Sequence, residues 1–405
     1  MADIRYWVWL SEALPKGSNT VNVLLNHLES PQEVFRLAEK KDEAIKRLVP
    51  QKEFVGLAQT SLERAEKILK SCAAKGIRVM SQEDPAFPES LKQIYGTPPV
   101  LYIKGNLGDL NADPSIGVVG TRKSSELGRK ATGNLCYELS RCGITIVSGC
   151  AVGIDEYAHR GALKAGGRTI GVMGCGLDVN YPAKNEELKA AMLRNGALVG
   201  ELPPGAQVEK TYFPIRNRIL AGLSHSVLVT QAPVRSGALI TAEHALQQGK
   251  DVYCLPPLEY GAPRYNGTVK FLRDGAIPVY DASDILLEYY KWFRHRLDLE
   301  KTLSVIKEHR GPMSRGTETG QRKQSTSERA AASADRESRR ASPVLPESVS
   351  GPAKSLYRVM GQEFLPVEEL ARQVGLTVGQ TLAALTELEI AGVAQMGPGR
   401  TCRKV

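Results

Sequence analysis

The sequence predicts an α/β protein centred on a doubly wound, mostly parallel sheet, with a small helical domain before it and a three-helix-plus-hairpin unit after it. Three observations predict this. Residues 114 to 290 alternate short, unbroken apolar runs with helical stretches, the pattern of strands covered on both faces. Residues 1 to 75 and 351 to 405 instead repeat apolar residues at three-to-four spacing. Between the second and third regions, residues 311 to 350 hold eight Ser, no aromatic residue and twelve mixed charges. That composition buries too little apolar area to offset chain entropy, so a flexible linker is expected.

The elements follow in order. Leu24, Leu25 and Leu28, then Val34, Leu37 and Ala38, then Leu62, Ala65, Ile68 and Leu69 mark apolar helix faces, with Ser30-Pro31 a start signal and Gly76 a stop. Residues 1 to 75 thus read as a helical domain. Residues 76 to 113 read as a connector extending the central domain, with strand-like Ile77 to Met80 and Val100 to Ile103 around Pro85, Pro88, Pro98 and Pro99. Strands are expected at Ile116 to Val119, Ile144 to Val147, Thr169 to Met173, Ala197 to Gly200, Ser226 to Thr230, Asp251 to Leu255 and Ile277 to Tyr280. Together they predict a Rossmann-like domain over 114 to 290, followed by a helical extension over 291 to 310.

In the tail, Leu356 and Val359, then Val367, Leu370, Ala371 and Val374, then Leu382, Leu385 and Leu388 give three helices before a Gly-punctuated stretch, Gly392 to Gly399. This is the outline of a winged helix. Its expected recognition helix, Thr377 to Ile390, contains no Lys or Arg and carries Glu387 and Glu389. Such a helix suits protein contact, or weak duplex contact through Arg400, Arg403 and Lys404.

Apolar residues at 42% and charged residues at 24% exclude a disordered or collagen-like chain. No run approaches the roughly 18 apolar residues of a membrane helix, and Met1 to Leu10 lacks a secretion-signal pattern, so a cytoplasmic address without membrane contact is expected. Seven cysteines form no Cys-x-x-Cys pair, which argues against a disulfide framework and a zinc site; no metal or cofactor is expected. Lys and Arg number 53 against 44 Asp and Glu, a net +9 that no segment concentrates into a basic block. A polyanion would therefore be held by a few placed cations and backbone amides.

Doubly wound sheets bind ligands beyond the carboxyl ends of their strands. Four turns there stand out. Gly120-Thr121-Arg122 combines a tight turn, a hydroxyl and a guanidinium fork. Ser148-Gly149 through Gly153 offers backbone amides to an anion, with Asp155 expected to cap the next helix. Phe213-Pro214-Ile215-Arg216-Asn217-Arg218 opens a helix whose two arginines lie about 200° apart, an arrangement suited to flanking a strand of phosphates. Ser236-Gly237 through Thr241 opens another helix with small residues. Lys184 and Asn185, after Tyr181-Pro182, offer a further phosphate contact, and Phe213 a stacking surface for an unpaired base. There is no Gly-x-x-x-x-Gly-Lys-Ser/Thr, and Gly171 to Gly176 lacks the dinucleotide spacing. Ser148, Asp155 and His159 read more simply as a cap and a packed imidazole than as a catalytic set, so no catalytic residues are expected.

These motifs in this order resemble the DNA-processing protein A (DprA, or Smf) family: Val118-Val119-Gly120-Thr121-Arg122, Ser148-Gly149 with Gly153-Ile154-Asp155 and Ala158-His159, Gly174-Cys175-Gly176-Leu177-Asp178 with Tyr181-Pro182, Phe213-Pro214 with Arg216-Asn217-Arg218, and Ser236-Gly237 with Ile240-Thr241. The resemblance implies a non-enzymatic, homodimeric protein that binds and protects single-stranded DNA and loads the recombinase RecA onto it, notably during natural transformation. It departs from the family pattern at Gln231, at Pro256-Pro257 and at Arg264-Tyr265-Asn266-Gly267. Two other readings compete. Ser236 to Glu243 is faintly similar to the Gly-Gly-x-Gly-Thr-x-x-Glu of nucleoside-monophosphate phosphoribohydrolases, and a docking scaffold recruiting partners through its winged helix is the third.

Overall fold

The computed structural model describes residues 3–310, 350–361, 365–390, 393–397 and 401–404. The linker expected at 311 to 350, save Ser350, lies outside the described residues, as do Gly392, Gly399 and Arg400. The chain folds as two compact units, Met1–Thr317 and Glu318–Val405.

The first unit opens with helices α1 (Ile4–Ala13), α2 (Thr20–His27), α3 (Pro31–Glu39), α4 (Glu43–Leu48), α5 (Gln51–Gln59) and α6 (Leu62–Ala74). Ser30 caps α3 by accepting from the Glu33 N–H, with Pro31 in the first turn. Trp9, Leu24, Val34, Ile45 and Leu57 bury the apolar stripes, and their core runs on into Val100, Tyr102 and Leu198 of the sheet. The helices are thus a layer resting on the sheet.

That sheet has nine strands: β1 (Arg78–Ser81), β2 (Val100–Gly105), β3 (Ser115–Gly120), β4 (Thr145–Ser148), β5 (Thr169–Val172), β6 (Ala197–Gly200), β7 (Ser226–Gln231), β8 (Asp251–Cys254) and β9 (Ile277–Pro278). Their order is β1-β2-β6-β5-β4-β3-β7-β8-β9. The segment from β6 to β9 is parallel, whereas β1 and β2 add on antiparallel, so the two strand-like runs of the connector belong to the sheet. The last expected strand stops at Pro278, because Tyr280 and Asp281 donate backbone N–H groups to Asp284 in the capping box of the next helix.

The connecting helices are α7 (Glu89–Lys92), α8 (Glu126–Arg141), α9 (Ile154–Lys164), α10 (Glu186–Met192), α11 (Tyr212–Gly222), α12 (Gly237–Gln247), α13 (Asn266–Arg273), α14 (Ala282–Phe293) and α15 (Leu299–Arg310). Strand side chains alternate between two cores. Val227, Val229 and Val252 pack with α11 and α12, while Leu228 and Tyr253 pack with α8, α14 and α15 on the opposite face. Unbroken apolar runs are what a strand covered on both faces requires.

The second unit is α16 (Gly351–Val359), β10 (Leu365–Pro366), α17 (Val367–Val374), α18 (Val378–Ile390), β11 (Ala394–Gly397) and β12 (Thr401–Lys404), with sheet order β10-β12-β11. Leu356, Leu370, Leu385, Leu388 and Cys402 form its core, giving the winged-helix outline. Arg403 donates to Gln395 Oε1, and the Lys404 ammonium sits 4.5 Å from the Tyr357 ring centroid.

Candidate nucleic-acid interface

From β3 the chain winds outward through β4, β5 and β6, then returns along α11 to place β7 on the other side of β3. At such a switch point the connections leave in opposite directions and a crevice opens at the strands' carboxyl ends. A cleft of about 340 Å³ lies there, walled by Gly120–Arg122 after β3, Asp155 after β4, Phe213–Asn217 on α11 and Arg235–Thr241 after β7.

The loop carrying Arg122 is pinned at both ends by one residue. The Gln231 carbonyl accepts from Thr121 N–H at 2.7 Å, its Oε1 accepts from Ser125 N–H at 2.8 Å, and its Nε2 donates to Ser125 Oγ at 3.0 Å. Ser125 in turn caps α8. A neutral amide can both accept and donate in this fully buried place, which a carboxylate cannot. Arg122 is exposed, and its guanidinium lies 5.2 Å from the centroid of the half-buried Phe213 ring. Phe213 is braced by Tyr181, ring to ring at 5.7 Å, and by Gly174, where a Cβ would sit 3.1 Å from the ring.

Behind this rim lies a buried charge pair. Arg216, 6% exposed, donates to the Val172 carbonyl at the end of β5. Asp155, 7% exposed, accepts from the N–H groups of Gly149 at 3.2 Å and Ala151 at 3.4 Å. It does not cap α9 as expected. Gly153, at φ +88°, holds the N-cap position, and Asp155 reaches back to the preceding loop. Gly149 lies between the two charges: a Cβ there would come within 2.5 Å of both Arg216 Nη atoms and 2.7 Å of Asp155 Oδ2. Burial pushes the Asp155 carboxyl up to about 6, with Arg216 and the two N–H groups opposing it. Burial likewise lowers Arg216, with Asp155 opposing.

The fourth wall is the start of α12, where Ser236 accepts from Ala238 N–H and Asn217 Nδ2 donates to the Gly237 carbonyl at 3.1 Å. Two buried polar atoms on this cleft's residues, Arg216 Nε and Thr241 Oγ1, have no partner among the described residues.

The structure therefore brings Gly120, Thr121, Arg122, Asp155, Phe213, Arg216, Asn217, Ser236, Gly237 and Thr241 to one cleft. Others of the expected set stand apart. Ser148 is fully buried and donates to the Val118 carbonyl at 2.6 Å. Gly149 and Gly153 shape the second loop from behind, the latter because a side chain there would strike the Thr121 and Arg122 carbonyls. Asn185 is buried and donates to the Cys150 and Ala151 carbonyls, and Lys184 is exposed on the adjoining turn outside the cleft. Arg218 is the clearest correction. The 200° that was to flank a strand turns it away from Arg216 into a buried pair with Glu201, N to O 2.6 Å. His159 makes no catalytic set with Ser148 and Asp155: its Nδ1 faces Thr169 Oγ1 at 2.7 Å and its Nε2 faces Cys150 Sγ.

Sequence reasoning missed Arg235, exposed on the cleft's wall, and the pinning role of Gln231. The first was legible as a cation directly before the Ser236 cap. The second required knowing that Gln231 faces Ser125. Arg122 and Arg235 make no ion pair among the described residues.

The chain is similar to known proteins along most of its length. The family model described as DNA recombination-mediator protein A matches residues 62–290, and the DprA winged helix domain matches 340–400. The DNA processing protein DprA of Bacillus subtilis is 39% identical over 222 residues, 55% of this chain and 74% of that protein. Protein Smf of Synechocystis is 32% identical over 336 residues, 82% of this chain and 81% of that protein. The crystal structure of DNA processing protein A from Streptococcus pneumoniae matches with a TM-score of 0.61 at 32% identity, over 71% of this chain and 99% of that one.

Proposed function

We propose, because this chain belongs to the DNA recombination-mediator protein A family, that the cleft at the β3–β7 switch point grips single-stranded DNA. The observation that carries this is the exposed guanidinium of Arg122 resting on Phe213 at the rim. Charge for a phosphate and an aromatic face for a base stand side by side, as an unpaired strand requires. Arg235 adds a second exposed cation, and the Ser236 turn adds polar groups on the opposite wall. A few placed cations on a surface without a basic block suit a strand held at chosen points.

The role is non-enzymatic on this reading: processing and shielding of single strands in the cytoplasm and loading of RecA, during natural transformation and recombination. The packed states of Ser148 and His159 support it. So does Glu243, the counterpart of the phosphoribohydrolase carboxylate, which lines neighbouring clefts and not this one. Homodimerisation belongs to the same proposal, supported by exposed Ile277 on the two-residue edge strand β9, exposed Tyr280 just beyond it, and exposed Leu258 and Tyr260 in the loop after β8.

The test is fluorescence anisotropy with single-stranded and duplex oligonucleotides over a salt series. Single strands are expected to bind tighter, with log K falling linearly in log salt by about 0.7 per phosphate contact, and Arg122→Ala to remove about one contact from that slope. Equal binding of duplex, or none at low salt, overturns the proposal.

A further inference from the structure

We infer that a second cleft beside the first is a nucleobase subsite for the same strand, an inference that rests on the single-stranded DNA reading above. This cleft, of about 420 Å³, is walled by the Lys16–Gly17 loop, by Gln93–Tyr95 after α7, by Ile215 and Arg218 on α11, and by His244 on α12 with Gln248 just past its end. Pro214 and Ile240 line both clefts, so the two adjoin, with these residues between them.

Its chemistry differs from that of the first. The cations in its walls are already committed: Arg218 is paired with Glu201, and the Lys16 ammonium is paired with Glu12 and donates to Ser11 Oγ. Burial holds the imidazole of His244 toward its neutral form. A phosphate would find no unbalanced positive charge here, whereas Arg122 and Arg235 offer it next door. A flat, uncharged group with hydrogen-bonding edges fits instead. Tyr95, 77% exposed, presents its ring on this cleft. Its loop is fixed, since Arg218 Nε donates to the Gly96 carbonyl at 3.0 Å and a Cβ on Gly96 would strike the Gly17 carbonyl. Gln248, whose Nε2 donates to the Arg218 carbonyl, adds an uncharged amide to the lining. Phosphates thus follow the arginine rim while one base turns over the Pro214–Ile240 ridge onto Tyr95.

The experiment compares full-length wild type, Tyr95→Ala, Tyr95→Phe and Arg122→Ala on an oligo-dT and on an abasic oligonucleotide of equal length. Tyr95→Ala is expected to weaken dT binding by roughly 5- to 150-fold with an unchanged salt slope, Tyr95→Phe to retain it, and all forms except Arg122→Ala to bind the abasic strand alike. If Tyr95→Ala binds dT like wild type, or loses as much on the abasic strand, while Arg122→Ala still weakens binding, the subsite is overturned and the first cleft stands. Wild type that binds neither oligonucleotide at low salt overturns the DNA reading itself, and the subsite with it.

Discussion

The guanidinium of Arg122 lies over the ring of Phe213, 5.2 Å from its centroid, so the second residue after β3 and the second residue of α11 form one platform although 91 positions separate them in the chain. The ring offers its face to the cation, and the cation stands over that face at the rim of the cleft. Loosening either should loosen both.

A double-mutant cycle on single-stranded DNA affinity reads that coupling. Arg122→Ala and Phe213→Leu are expected to be non-additive by about 0.5–2 kcal/mol, the range of a cation over an aromatic face. Arg122→Lys should keep the salt slope yet lose affinity, because an ammonium neither stacks nor forks. Additivity within about 0.3 kcal/mol would mean that the two act separately.

Arg218 and Glu201 answer to stability, since both are about 6% exposed and paired at 2.6 Å. Arg218→Ala leaves the Glu201 carboxylate buried without its cation, and a loss of about 3–5 kcal/mol is expected in urea unfolding. The pair replacement Arg218→Met with Glu201→Leu should recover most of it. A double variant as unstable as the single one would show that the pair's attraction, and not the orphaned charge, sets the cost.

Binding should strengthen as pH falls through about 6. Above that value Asp155 is charged and offsets Arg216; once protonated it leaves the guanidinium's field uncompensated in the cleft. Oligo-dT suits the measurement because thymine does not titrate in this range. Asp155→Asn should bind equally at pH 7 and pH 5, and a variant that keeps the wild-type pH dependence would assign it elsewhere.

His159 predicts acid lability. The Thr169 hydroxyl donates to the Ile146 carbonyl, so His159 Nδ1–H donates to Thr169, which leaves Nε2 as an acceptor toward Cys150 in a neutral ring. Burial lowers its pKa to about 3, below the ordinary 6.5. Between those values the unfolded chain binds the extra proton, so stability present above 6.5 is lost as pH falls, at up to about 1.4 kcal/mol per pH unit. Asp155 acts oppositely between its ordinary 3.8 and about 6, where the folded state holds the proton. The difference between wild type and His159→Gln in denaturant midpoints from pH 7 to 4 isolates the histidine. Parallel curves would remove it from the account.

Much of the site was legible because it is built from turn chemistry. Gly120-Thr121-Arg122, Phe213 and Ser236-Gly237 sit where apolar runs hand over to helices, and the sheet's winding carries those ends to one rim. The second loop read less well. An acidic residue at a helix start normally caps that helix, but here the positive φ of Gly153 points Asp155 back toward Gly149 and Ala151. Gln231, visible only as a departure from a family pattern, holds the Arg122 loop in place.

The sequence by itself determined the layers and the strand-to-helix corners, because strand burial and helix entry depend on neighbours a few residues away. Only the tertiary structure decided which cations reach the cleft. Arg216 and Arg218 are two residues apart on one helix, yet α11 lies between the site and Glu201, so one arginine backs the cleft and the other is neutralised behind it. Which partner a charge meets depends on segments distant in the chain, and those come together only when the sheet closes its core.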